Sequence, residues 1–277
     1  MLTLTMMQTM WPQNSDQPRR PDARLLEGVA KAAPAVFAKY GLTSDALVAH
    51  AMAQFSHECG NGRSMVENIG YSPERAAQVW PGRFTSGADC LAKVGCRSGD
   101  DPNFPTKLID QVYGGRNGNL AGTSDGSKYI GRGLAQVTGR SNYEKLGTKV
   151  NLKLLDNPGL VNEPDNALEC GVAMFILCGC LEPAKANNVA GVTKKLNGGD
   201  VGLQDRMAKL EQWKNALLQG ALNRLGASPA LATDGAFGKK SIDALTAYQS
   251  RKGLEVNGRA DDPKTLAAVE KDIAALQ

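Results

Sequence analysis

The chain has 277 residues, of which 42% are hydrophobic and 5% aromatic, and its formal net charge is +4. That length suits one large or two modest domains with a proper core. Its Lys and Arg residues are scattered rather than clustered, which argues against a nucleic-acid footprint and leaves only a mild attraction to anionic polymers or envelopes.

In chain order, the opening MLTLTMMQTMWPQNSDQPRR has no positive charge ahead of its apolar residues and no small-residue cleavage site, so it does not read as a secretory signal. Residues 24–40 and 45–58 read as helices, with Pro34 a kink point in the first. In the second, Leu47, Ala51 and Phe55 form an apolar stripe, and Glu58 follows on it at helical spacing. A carboxyl group half buried on such a face loses hydration of its charged form and keeps its proton more readily, as a general acid must. Gly60 and Gly62 can then end the helix and turn the chain back. Glu67 thereby comes to face Glu58 across a cleft, the arrangement of a two-carboxylate hydrolase. His57 either makes a structural hydrogen bond or tunes the acid, and Cys59 reads as a small packed residue rather than a nucleophile.

Residues 81–131 are rich in Gly, Asp, Asn and Pro and read as a long irregular segment, functional or partly disordered. Residues 129–143 follow, with Gln136, Thr138 and Asn142 along an expected extended backbone. Such a row suits sugar hydroxyls and acetamido groups, the alternative being a polar surface loop. Helical patterning resumes at 141–147, 164–180 and 203–219, the last with Leu203, Met207, Leu210 and Leu217 on one face. The run Ala167 to Leu181 falls short of the roughly 20 residues that cross a membrane. It reads as a core helix with Pro164 in its first turn. In 196–206, Asp200 and Asp205 could simply cap a helix.

Six cysteines, Cys59, Cys90, Cys96, Cys170, Cys178 and Cys180, are too few for a disulfide scaffold, and His50 and His57 offer no zinc spacing. Free thiols are expected, with a Cys90–Cys96 pair the alternative in an oxidising space. After Trp213 the character changes. Thr233-Asp234-Gly235-Ala236-Phe237-Gly238, then Ser241 and a helical run to Gln249, is echoed by Asn257-Gly258, Thr265 and the run to Val269. The expected division is residues 1–212 and a compact block 214–277, with the helix around Leu210 running directly from one to the other.

Together, His57-Glu58, Glu67-Asn68-Ile69-Gly70-Tyr71-Ser72, Trp80-Pro81-Gly82-Arg83-Phe84, Tyr129-to-Tyr143 and Leu196-to-Arg206 resemble the chitinase-like glycoside hydrolase family 19, and within it phage endolysins. The resemblance covers most of residues 45–212. It implies a mainly α, lysozyme/chitinase-like catalytic domain with Glu58 as general acid and Glu67 as general base. It also implies that Gln136, Thr138, Asn142, Tyr143 and Asn197 hold the water or the sugar, and that Arg206 is a cleft arginine paired with carboxylates. Asp234, Gly235, Phe237, Gly238, Ser241, Tyr248 and Gln249 resemble a small three-helix peptidoglycan-binding domain, although the second half-repeat is one residue longer between its Gly and its hydroxyl residue.

The implied protein is a monomeric peptidoglycan hydrolase that inverts at a β-1,4 bond. It would need no metal or organic cofactor, bind no nucleic acid and insert in no membrane. It would be made in the cytoplasm without a leader and act on the wall in the periplasm once the membrane is breached. A chitinase and a non-catalytic wall-binding protein are the rivals. The wall-binding block argues against the first, and intact Glu58, Glu67 and Thr138 against the second.

Overall fold

The computed structural model describes residues 2–13 and 20–276. Among these the protein is mainly α, as expected, with no strand and only isolated bridges at Val66–Arg132 and Arg132–Val137. The helices are α1 (Leu4–Met10), α2 (Ala23–Lys39), α3 (Asp45–Glu58), α4 (Pro73–Val79), α5 (Gly87–Val94), α6 (Phe104–Tyr113) and α7 (Asp125–Lys128). They continue as α8 (Arg140–Val150), α9 (Pro164–Leu177), α10 (Leu181–Lys185), α11 (Val189–Asn197), α12 (Leu203–Arg224), α13 (Lys239–Arg251) and α14 (Pro263–Ala274).

The centre of the main core is α3. Ser44 caps it by accepting from the Leu47 amide at 3.3 Å, and every residue from Leu47 to Ser56 is buried. The apolar stripe read from the sequence is therefore an understatement, because α3 is covered on all sides, with α12 packed along it. A helix wrapped this way derives its stability from tertiary packing rather than from propensity. Ser56 Oγ accepts the indole N–H of both Trp11 and Trp213, each at 2.8 Å. The N-terminal helix and α12 thus grip α3 two residues before Glu58. The opening segment is part of this core, with Met6, Met7, Met10 and Trp11 buried.

Residues 81–131 are more ordered than their composition suggests. They form α5, α6 and α7, and α4, α5 and α6 enclose a separate small core of Ala76, Phe84, Cys90, Val94, Cys96, Phe104, Leu108 and Val112. The polar residues that read as loop sit at helix ends: Ser86 caps α5, Gly95 closes it in the left-handed region at φ 68°, and Pro105 lies in the first turn of α6. These helices are too short for a periodic pattern to stand out. Cys90 and Cys96 lie in this core as free thiols, as are all six cysteines.

At the C-terminal end, α12 crosses the boundary expected near residue 213. Trp213, Ala216 and Leu217 belong to the main core, whereas Leu218, Ala221 and Leu222 join Leu231, Leu245, Tyr248 and Val269 in a third one. The half-repeat is present at atomic detail and begins earlier than the sequence suggested. Gln219 Oε1 accepts the Gly235 amide at 2.9 Å, and Gln219 Nε2 donates to Asp234 Oδ1 and to Ser241 Oγ. In the second copy, Gln249 Oε1 accepts the Gly258 amide at 3.0 Å, and Gln249 Nε2 donates to Asn257 Oδ1 and Thr265 Oγ1. Each unit is a buried glutamine on one helix that clamps a turn glycine and the first hydroxyl of the next helix.

Candidate active site

Glu58 is the last residue of α3, and Cys59 ends the helix by donating its amide to Phe55 O at 3.0 Å. The chain then reverses through Gly60, Asn61 and Gly62, all at positive φ, and the Ser64 amide returns to Cys59 O at 2.9 Å. Gly62 is required twice over. Its φ is +80°, and a Cβ there would stand 3.0 Å from Pro21 Cβ and 3.1 Å from Trp11 Cε3.

Glu58 is part-buried, with its side chain 16% exposed, but its surroundings are not simply apolar. Its Oε1 accepts from Arg206 Nη2 at 2.6 Å, and the Arg206 side chain is 1% exposed. The same guanidinium donates to Gln54 Oε1 through Nη1 and to Val201 O through Nε. Gln54 is itself fixed by Thr193 Oγ1 at 3.2 Å. A buried cation is tolerated only when paired and hydrogen-bonded in this way. Beside it, His57 Nδ1 lies 2.6 Å from Asp205 Oδ2, and Gly202 packs closely against the imidazole, so the loop between α11 and α12 is held against the end of α3.

Glu67 is positioned by backbone pairing rather than by a helix. Its amide donates to Gly131 O at 2.8 Å, and the Gly133 amide donates to Met65 O at 2.9 Å. Its carboxylate takes a donor on each oxygen: the Gly131 amide on Oε2 at 3.0 Å and the Tyr113 hydroxyl on Oε1 at 2.7 Å. Residues 132–137, expected to be extended, form a tight turn in which the Val137 amide returns to Arg132 O and Gln136 adopts φ +46°. Gln136 is not glycine, so this is a strained conformation of the kind that a site must hold in place. Its Nε2 donates to Ser64 O at 3.1 Å and Gly133 O at 2.9 Å, which leaves Oε1 turned inward.

These groups converge. A Cβ placed on Gly131 would lie 3.0 Å from Gln136 Oε1, 3.2 Å from Thr138 Oγ1 and 3.4 Å from Glu67 Oε2. Three side-chain oxygens therefore cluster beside Gly131.

The other expected site residues divide. Asn142 Nδ2 donates to Thr138 O at 2.8 Å, so it props the threonine. Asn197 is exposed at the end of α11, on the loop that leads to Val201 and Gly202. Tyr143 does not line a cleft. It is 0% exposed, its hydroxyl donates to Ile130 O at 2.8 Å, and burial pushes its pKa up to about 12. It braces the 130–132 backbone and cannot touch a sugar from inside the core. Arg206 likewise reaches Glu58 from inside rather than reaching substrate. Burial pushes the Cys59 thiol up to about 12, which fits packing and not nucleophilic attack. Gln54 and Tyr113 were not found from the sequence: the first is one polar residue in an apolar helix, the second lies in the segment read as loop. Among the described residues no group of three His, Cys, Asp or Glu is placed to hold a metal.

Residues 216–269 match the family model described as "Putative peptidoglycan binding domain". A "Glycosyl hydrolase family 19 domain-containing protein" of Haemophilus influenzae is 30% identical over 182 residues, which are 65% of this chain and 85% of that protein. Among solved structures, chitinase C from Streptomyces griseus aligns at 19% identity and a TM-score of 0.44, covering 77% of this chain and 90% of its own. A chitinase C mutant aligns over the same shares with a TM-score of 0.46.

Proposed function

The chain belongs to glycosyl hydrolase family 19, and from that premise we propose that it is an endolysin-type peptidoglycan hydrolase. It is a glycoside hydrolase that carries a peptidoglycan-binding domain, which makes it a cell-wall hydrolase. The observation that carries the finer reading is the union, on one helix-linked chain, of the Glu58 and Glu67 sites with the wall-binding match at 216–269.

In this reading, Glu58 donates a proton from Oε2 to the glycosidic oxygen between two amino sugars. Arg206 stays against Oε1 and balances the carboxylate left behind. Glu67 takes a proton from a water on the opposite ring face, and Thr138, Gln136 and Asn197 orient that water or the acetamido group. Attack on the face opposite the leaving group inverts the anomeric centre and needs carboxyl groups about 6.5–9.5 Å apart. No metal or organic cofactor takes part. The enzyme acts on the wall in the periplasm as a monomer, after a separate lesion in the membrane releases it, as a phage lysis enzyme does.

Digestion of purified walls in ¹⁸O-water, with anomers followed by NMR and muropeptides by mass spectrometry, tests the reading. The expected products carry ordinary reducing ends, labelled by solvent oxygen and of inverted configuration. Anhydro-muropeptides or retained configuration would reject the mechanism, and cleavage of chitin oligomers with none of walls would reject the substrate.

A further inference from the structure

We propose that Tyr113 is the positioning residue of the base, through which the small lobe formed by α4 to α6 makes Glu67 competent. The proposal rests on Glu67 being that base. A carboxylate on a flexible side chain samples several rotamers, and each one other than the productive one costs rate, since misplacement on the scale of 1 Å is worth up to about 10²-fold. Two donors on separate oxygens remove that freedom. The Gly131 amide holds Oε2 at 3.0 Å and the Tyr113 hydroxyl holds Oε1 at 2.7 Å, so the carboxyl group is held in one orientation. Oε2 is the oxygen near Thr138 Oγ1 and Gln136 Oε1 around Gly131, which leaves Tyr113 the task of restraining the other.

The frame behind Tyr113 is firm. It ends α6, and its ring packs against the small-lobe core. Asn119 Nδ2 donates to Tyr113 O at 3.1 Å, while Asn119 Oδ1 accepts the Arg140 amide that opens α8 at 2.8 Å. Asp110 Oδ1 accepts the Ser127 amide in α7 at 2.7 Å. These bonds tie α6 to the segments on either side of Gly131 and Thr138. Tyr113 and Gly131 are thus two jaws of one clamp, whereas Glu67 enters on a segment whose neighbours Val66 and Asn68 are exposed. Burial, followed by the hydrogen bond to Glu67, raises the Tyr113 pKa well above its ordinary value, so the hydroxyl remains a donor at any pH at which the enzyme works.

The test is a double-mutant cycle on the full chain with Tyr113→Phe, Glu67→Gln and both together, read by steady-state kinetics on a soluble peptidoglycan fragment. Tyr113→Phe keeps the ring and should lower kcat about tenfold with KM unchanged and the melting temperature held within a few degrees. In the Glu67→Gln background the same substitution should change the residual kcat less than about twofold, because its effect passes through Glu67. A purely structural tyrosine would instead lower kcat by the same factor in both backgrounds. That result would overturn the proposal, and so would wild-type kcat in Tyr113→Phe or a rise in KM alone. Wild-type turnover in Glu67→Gln would overturn the base assignment and this proposal with it, whereas an impaired Glu67→Gln beside an unimpaired Tyr113→Phe removes only the clamp.

Discussion

The two carboxylates stand on walls built by different means. Glu58 ends a helix whose preceding residues are buried in succession, and its partner Arg206 comes from a second helix and is held by Gln54 and Val201. Glu67 sits on a short extended segment held by amide pairs to residues 131–133 and by one phenol from the small lobe. The first wall is stiff because it is core, and its side-chain charge is matched from inside. The second is held by a few hydrogen bonds rather than by burial. If Glu58 is the acid and Glu67 the base, as proposed, that division suits a group that aims at one oxygen and one that meets a free water.

Breaking the first wall should have the largest effects. Glu58→Gln keeps the shape and a hydrogen-bonding partner for Arg206 but cannot give a proton, so turnover should fall by about 10²–10⁴-fold with wall binding intact. More than about a tenth of wild-type turnover would put the acid elsewhere. Cutting the chain after residue 212 should cost the fold itself, since it removes Trp213, Ala216 and Leu217 from the main core, whereas a cut after Arg224 spares them. Circular dichroism and cleavage of soluble fragments should separate the two products, and equal behaviour would mean that α12 is not shared between the domains.

Arg206→Met leaves the Glu58 carboxylate without its buried partner and should lower stability by about 3 kcal/mol along with activity. Unchanged denaturant midpoint and turnover would show that the pair contributes little. Ser56→Ala strips the acceptor from two buried indole N–H groups and should cost about 2 kcal/mol in chemical denaturation. On the second wall, Gly131→Ala should be mildest. Its methyl enters the space between Gln136 Oε1, Thr138 Oγ1 and Glu67 Oε2, and kcat should drop by about tenfold while the melting temperature barely moves. A large stability loss there would mean that the second wall is as rigid as the first.

Much of this was legible in the residues. The helix that carries Glu58 announces itself by length and periodicity, and the reversal after it by two glycines, because both are local effects of backbone sterics and burial. The ordered motifs brought Glu67, Gln136, Thr138 and Arg206 forward; Gln136 and Thr138 lie with Glu67 beside Gly131, and Arg206 pairs with Glu58. The same motifs misled at Tyr143, since a tyrosine that braces a site from inside the core and one that stacks on a sugar leave the same letter in a sequence. The small lobe was missed because helices of 7 to 10 residues, punctuated by caps, look like loop until they pack on one another.

What the sequence determined alone is what depends on near neighbours: the mainly helical class, the end of α3 at Glu58, the positive-φ turn after it, and the two glycine turns of the C-terminal block. What only the tertiary structure decided is every partnership across long separations. Glu58 finds Arg206 at 148 residues' remove, Glu67 finds Tyr113 at 46, and Ser56 finds Trp11 and Trp213 at 45 and 157. No local rule specifies such pairs, because a buried charge or indole N–H accepts any partner of the right chemistry, and which one it meets is settled by how the helices pack.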